Sequence, residues 1–280
     1  MIESKAIPEQ DKPLLGRAVS VFGIVALLIS THATAQTAVV SDNTFLNANW
    51  SLTQFFVGNA GSVAAAQDLA VGNPASSRNV SDTVGAAPSA GSESIVLGAS
   101  FYTPFTYNPA VSGAIASLSY TEDAACTSGC FGAGQSTGPA ILQGGNVYIL
   151  SSSSVITGPG LTFTNHALSG LTAADFGLVN LTTAGGTADT TQHPNFSAGG
   201  AAMQFGFFRA NGSSNGGAGY TLAAAIDNWQ VSIFAVAAPP PPPPPPVGSV
   251  AVPTLGALEL AVLSAILSLL AFAYLRRAGR

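Results

Sequence analysis

Hydrophobic and polar positions alternate along the middle of this chain. Met203, Phe205 and Phe207 fall on one face of the stretch that ends at Arg209. Trp229, Val231 and Ile233 do the same up to Phe234, and Ala114, Ala116, Leu118 and Tyr120 alternate with Ile115, Ser117 and Ser119. Successive side chains of an extended chain point to opposite faces, so a period of two marks strands buried on one side. Asn146–Leu150 and residues 161–164 read as further short strands. Turn-forming clusters stand between them: Gly72-Asn73-Pro74, Gly158-Pro159-Gly160 and the run from Asn211 to Gly217. Many short strands punctuated in this way predict an all-β chain folded as an antiparallel β-sandwich, jelly-roll-like in layout. Helical signals are few. Residues 64–70 hold alanines but sit between glycines, and Thr172 followed by Asp175 has the spacing of a capped single turn.

The pattern changes at both ends. Lys5, Lys12 and Arg17 precede an apolar segment from Ala18 to Ile29, followed by Ala33-Thr34-Ala35. A basic start, a short apolar core and small residues at a cleavage point predict a signal peptide over 1–35. Residues 36–237 form the exported domain, 238–251 a proline-rich linker and 252–280 the tail. Eight prolines, Pro239 to Pro246, extended as polyproline II at about 3.1 Å each, make a spacer of roughly 25 Å. From Leu255 to Leu275 the only charge is Glu259, and some twenty residues at about 1.5 Å each span the hydrocarbon core. Arg276, Arg277 and Arg280 then act as a membrane stop that keeps the C-terminus cytoplasmic.

Val252, Pro253, Thr254 and Leu255, followed by an apolar helix and an arginine cluster, resemble the IPTL-CTERM sorting signal, a relative of the PEP-CTERM signals of Gram-negative bacteria. The likeness covers about the last thirty residues. It departs from the family at Val252, where isoleucine is usual, and at Gly256-Ala257-Leu258, where Ser-Glu-Trp is common. It implies an exosortase-type membrane transpeptidase as partner, initial anchoring in the bacterial inner membrane, and a final place at the cell surface or outside the cell. The central domain resembles bacterial concanavalin A-like jelly rolls through Ser41 to Leu46, Gly72-Asn73-Pro74, Phe205-Gly206-Phe207 and Ile226 to Val231. That likeness implies that the first and last strands lie close together.

Composition narrows the chemistry. The exported segment has no lysine; its only basic residues are Arg78 and Arg209, against nine acidic ones. A surface without cations has no footprint for a phosphate backbone, which excludes nucleic acid as a partner. Cys126 and Cys130 read as a small disulfide loop in an exported chain. Glycoside hydrolysis needs two carboxylates flanking the bond, whereas Glu122 and Asp123 are adjacent and point to opposite faces of a strand. Solvated surface acids are the expected reading of that pair. Glu93 is the other glutamate in the segment, and no Gly-x-Ser-x-Gly elbow accompanies His166 or His193. The chain is therefore read as a non-enzyme.

Asp42-Asn43 and Asp227-Asn228 would converge if the terminal strands pair, which makes Asp42 and Asp227 candidate calcium ligands. The alternative is that each forms a turn with its own backbone, and no cofactor is otherwise implied. The aromatic run holding Tyr102 and Tyr107 is the candidate ligand surface. The expected role is structural or adhesive, at the cell surface or in an extracellular polysaccharide matrix. The alternative is a carbohydrate-binding module, ahead of a glycan hydrolase.

Overall fold

The computed structural model describes residues 35–59, 61–74, 76–129, 135–156, 161–236 and 256–278. Residues 1–34 of the expected signal peptide 1–35, Cys130, the proline run, the motif Val252, Pro253, Thr254 and Leu255, and Arg280 lie outside the described residues. The chain divides into two units, one up to Ala237 and one from Ala238.

The first unit contains fourteen strands among the described residues. In chain order they are β1 (Ala35–Asp42), β2 (Trp50–Val57), β3 (Ser62–Asp68), β4 (Ser77–Val84), β5 (Glu93–Tyr102), β6 (Ile115–Ser128) and β7 (Gln135–Gln143). They continue as β8 (Asn146–Leu150), β9 (Ser154–Ile156), β10 (Thr164–Leu171), β11 (Phe176–Val179), β12 (Ala188–Asp189), β13 (Met203–Ser214) and β14 (Tyr220–Ala235). One sheet runs β10–β6–β14–β4–β3, and the other β12–β11–β8–β7–β13–β5–β2, with β9 against the start of β7. The strand pairings among the described residues are antiparallel, as expected of a sandwich. β14 is long enough to hold two neighbours on one edge: residues 220–226 pair with β4 and residues 229–235 with β1. The first and last strands therefore do lie together, with Asp42 opposite Trp229.

Alternation decides which side chains enter the sandwich. Phe205 and Phe207 of β13 face Trp229, Val231 and Ile233 of β14 across the core, and all five are buried. Trp50 meets Trp229 edge-on with ring centroids 4.9 Å apart, and Phe207 lies 5.4 Å from Trp50. Such edge and tilted arrangements suit ring quadrupoles better than face-to-face stacking.

Several expectations shift in detail. Ala64, Ala65 and Ala66 belong to a strand, β3, whose ladder partner is β4. Residues 161–163 are not strand, since β10 begins at Thr164. Asn211 to Ser214 continue β13, so the turn narrows to Asn215-Gly216. Thr172 caps a single 3-10 turn, Ala173–Asp175, whose Asp175 carboxylate accepts from the Thr172 backbone N–H at 2.7 Å and from its hydroxyl at 2.9 Å.

In the second unit, α2 (Ala257–Ala278) follows the four-residue α1 (Pro109–Ser112) of the first. Its apolar stretch Ala257–Arg277 spans 21 residues, about 31 Å at 1.5 Å each, and is long and apolar enough to cross a membrane. Glu259 sits in its first turn, where Oε2 accepts from Gly256 N–H at 3.0 Å. A carboxylate there meets an orphan donor and the positive end of the helix dipole, which accounts for an acid at the rim of an apolar stretch. Arg276 and Arg277 occupy the last turn.

Candidate functional site

The polar residues inside the sandwich are the feature that strand patterning alone left unread. Glu122, on β6, follows Leu118 and Tyr120 in the inward phase and is 0% exposed. The expectation that Glu122 is a solvated surface acid is thus corrected. Its register turns it into the core, while Asp123 faces outward, as the alternation requires. Arg209, in phase with Phe205 and Phe207 on β13, is also 0% exposed and meets Glu122 at 3.3 Å. Thr137 and Tyr120 each donate to Glu122 at 2.6 Å, and Arg209 Nη1 also donates to Thr137. A buried ion pair is tolerated when its remaining lone pairs are hydrogen-bonded in this way. Burial, then the adjacent Glu122 charge, holds the Tyr120 hydroxyl well above its usual pKa. Along β6, Glu122 separates Tyr120, in the larger apolar cluster, from Ala124 and Cys126, in a smaller one with Ile156, Leu222 and Ala224.

Of the expected ligand surface, Tyr107 is corrected outright. It is 2% exposed, and its hydroxyl donates to Ser112 O and Gly113 O at 3.0 and 2.9 Å, tying α1 to the chain that precedes it. Tyr102 is half-buried, with its ring packed against Trp50 and Trp229 at 5.4 and 5.8 Å. The run they share ends β5 and turns at Pro104, so it offers no continuous aromatic face.

The candidate calcium ligands are used separately. Asp42 Oδ1 accepts from Thr44 N–H, Thr44 Oγ1 and Phe45 N–H, and Oδ2 accepts from Trp50 Nε1 at 2.8 Å. Burial alone would raise the Asp42 pKa, but the bonds from Thr44, Trp50 and Phe45 outweigh it and hold the carboxyl below its usual range. Asp227 accepts from Asn73 N–H and Asn228 N–H at a bulge of β14 where Asn228 takes φ 48°. Its pKa is raised by burial and then by Asp123, the residue opposite it on β6. No group of three or more His, Cys, Asp or Glu side chains is placed to hold a metal among the described residues. Cys126 is buried on β6, and its expected partner, Cys130, lies outside the described residues. His193 is an exposed loop residue with Nδ1 2.7 Å from Phe176 O, and His166 is half-buried on β10.

A cavity of about 180 Å³ opens on the side of the second sheet that faces away from the first. Glu93 and Ser136 line it, at positions that alternate with the inward Ser94 and Thr137. Its cover is the turn after β11. Thr182 N–H bonds to Gly186 O at 2.9 Å, and Glu93 N–H reaches Thr183 O at 2.9 Å, so this turn crosses the sheet as far as β5. Gly185 and Thr187 on that turn, with Asn211 and Tyr220, complete the lining. The Tyr220 hydroxyl donates to Gly212 O at 2.9 Å. The Asn211 side chain itself turns inward, so the site combines one carboxylate, small hydroxyls and a half-exposed aromatic ring, a set suited to a polyhydroxylated ligand. Sequence reading named Glu93 only as a spare acid. The signal that could have joined Tyr220 to it is the hairpin between β13 and β14, which brings Tyr220 back beside Gly212.

No protein-family model matches the chain, and no curated protein does. Among solved structures, the chain is similar to the family 11 carbohydrate-binding module of Clostridium thermocellum in complex with a β-1,3-1,4-mixed-linked tetrasaccharide. That match has 11% identity and a TM-score of 0.41, covering 73% of this chain and 100% of that one. It is also similar to the CBM22-1 xylan-binding domain of Paenibacillus barcinonensis Xyn10C, with 8% identity and a TM-score of 0.35, covering 74% of this chain and 100% of that one. The two-sheet sandwich itself is read from the strand pairing of this chain.

Proposed function

We propose that the first unit is a non-catalytic carbohydrate-binding domain, exported and tethered to the membrane through α2. The observation that carries this reading is the covered cavity with Glu93, Asn211 and Tyr220 on its lining. A ligand rich in hydroxyls finds there the acceptor pair of Glu93, the hydroxyls of Ser136 and Thr187, and an aromatic ring. Glu93 is the one carboxylate on that lining, and Glu122 is committed to Arg209, which favours binding over hydrolysis. The adhesive role expected from the sequence then becomes adhesion through sugar.

Charge narrows the ligand class. Arg78 and Arg209, the only basic residues of the exported segment, are both buried. An anionic polysaccharide would therefore approach a surface of its own sign, so the ligand is a neutral glycan. The tail fits the same reading: α2 supplies a span, and processing by an exosortase-type enzyme at Pro253-Thr254 is part of the proposal.

The test is binding of the full chain, in detergent, to a panel of neutral and acidic glycans. Saturable binding to a neutral glycan that Glu93→Gln weakens about tenfold supports the reading. Absence of binding to every glycan, or binding indifferent to Glu93→Gln, sinks it.

A further inference from the structure

Asp82 lies on β4 opposite Leu222 of β14, in the inward phase between Val80 and Val84, and is 0% exposed. Two amides point their NH2 groups at one of its oxygens. Gln135 Nε2 donates to Oδ2 at 3.0 Å and Asn211 Nδ2 donates to the same Oδ2 at 3.2 Å. The other three oxygens of this group, Asp82 Oδ1, Gln135 Oε1 and Asn211 Oδ1, are buried with no hydrogen-bond partner. Buried acceptors without donors are rare in folded proteins, because each forfeits its hydration. Turning either amide over gives no relief, since it would set an amide oxygen against Oδ2. The nearest cation, Arg209, is bonded through its Nη atoms to Glu122, Thr137 and Phe208 O. Its Nε also stays without an acceptor, so it does not reach Oδ1.

One proton on Oδ1 turns one of these three acceptors into a donor for a second. We propose that Asp82 is held as the neutral carboxylic acid in the folded sandwich, and that this proton makes the buried polar layer a pH-sensitive control on stability. The O–H so formed donates to one of the orphan oxygens and removes an unpaired charge from the core. The groups that face Asp82 agree with this. Arg209 of β13 favours the anion but is paired with Glu122, the Tyr220 hydroxyl of β14 is itself raised by burial and then by the Asp82 charge, Tyr120 lies behind Glu122, and Gln135 and Thr137 of β7 do not titrate. Burial is the largest influence and pushes the carboxyl up to about 7, against smaller opposing effects of Gln135, Arg209 and Asn211.

A raised carboxyl pKa makes the folded state the better proton binder between the unfolded value of 3.8 and about 7. Stability from this group is full below that window, falls as pH rises through it by about tenfold in the folding constant per pH unit, and is constant above it. Asp82→Asn carries a permanent NH2 donor and no charge. The experiment is urea unfolding of the full chain and of Asp82→Asn in detergent from pH 4.5 to 9. The difference is expected to move in favour of the variant by about tenfold per pH unit up to pH 7 and then to level off. A difference that does not change with pH overturns the proposal. Should Asp82→Asn fail to fold, the carboxyl carbon shift of Asp82 in the ¹³C-aspartate-labelled chain decides the matter. A midpoint above 6 supports the proposal, and a midpoint below 5, as an ionised carboxylate bridged by water would give, overturns it.

Discussion

Replacing Arg209 by methionine isolates the energetics of the buried ion pair. Methionine is unbranched and apolar but shorter than arginine, so the change removes the charge and the donors and leaves the space of the guanidinium unfilled. Glu122 would then stand 0% exposed with Thr137 and Tyr120 as donors but no counter-charge. Breaking a buried pair from one side typically costs about 3–5 kcal/mol, because the remaining ion has lost its hydration as well as its partner. Against a total stability of about 5–15 kcal/mol, that is a large fraction. For a domain of this size it corresponds to a fall in Tm of about 6–20 °C. Trp50 and Trp229, the only tryptophans in the chain, are both buried in the same core and report unfolding by fluorescence in urea. Changing both partners together, Glu122→Leu with Arg209→Met, is expected to cost less than the sum of the two single changes by at least about 2 kcal/mol, since no orphan charge remains. A loss below about 1 kcal/mol for Arg209→Met, the scale of a surface pair, would refute the reasoning.

Gly206→Ala drives a Cβ into the backbone carbonyl of Ser100 in the β5–β13 ladder, so a loss of at least about 2 kcal/mol in urea unfolding is expected, and wild-type stability would contradict that register. Gly212→Val has ordinary contacts at its Cβ, with Ser94 O at 3.5 Å, and projects into the cavity. It should abolish glycan binding while leaving Tm within about 3 °C, and retained binding would remove the cavity from consideration. The lowered pKa of Asp42 gives stability that is present above the unfolded value of 3.8 and lost as pH falls through the folded one. Asp42→Asn should therefore flatten the acid end of the stability profile below about pH 4, and a profile unchanged there would show that its hydrogen bonds to Thr44 and Trp50 contribute nothing.

The sandwich was legible where apolar residues alternate without interruption. Met203, Phe205 and Phe207, like Trp229, Val231 and Ile233, sit on the face their phase assigns, and the pairing of β1 with β14 follows the jelly-roll likeness. The polar interior was half legible. Arg209 continues the phase of Phe207, and Glu122 that of Tyr120, yet Glu122 was read as solvated because charges usually face water, and Arg209 was given no place. What a single chain does not display is that two such positions, on strands of opposite sheets, meet. Strand β4 was missed because Ser77–Val84 reads as polar, and its inward Arg78 and Asp82 make sense only beside Trp50 and Gln135. Tyr107 was misplaced for a related reason: its hydroxyl finds the carbonyls of Ser112 and Gly113, which no local pattern announces. The cavity was invisible because its cover, the turn from Thr182 to Thr187, belongs to a hairpin whose short strands give no periodic signal.

Under the proposed export, the burial of Arg78 and Arg209 also bears on survival outside the cell. Proteases of the trypsin class require a basic side chain in an acidic specificity pocket, with several flanking residues extended across the enzyme. Between residues 36 and 236 the chain presents only these two candidates, each inside a paired strand with its side chain enclosed. Cleavage at either must wait for the sheets to open, so the lifetime of the folded unit among such enzymes is set by its own unfolding equilibrium.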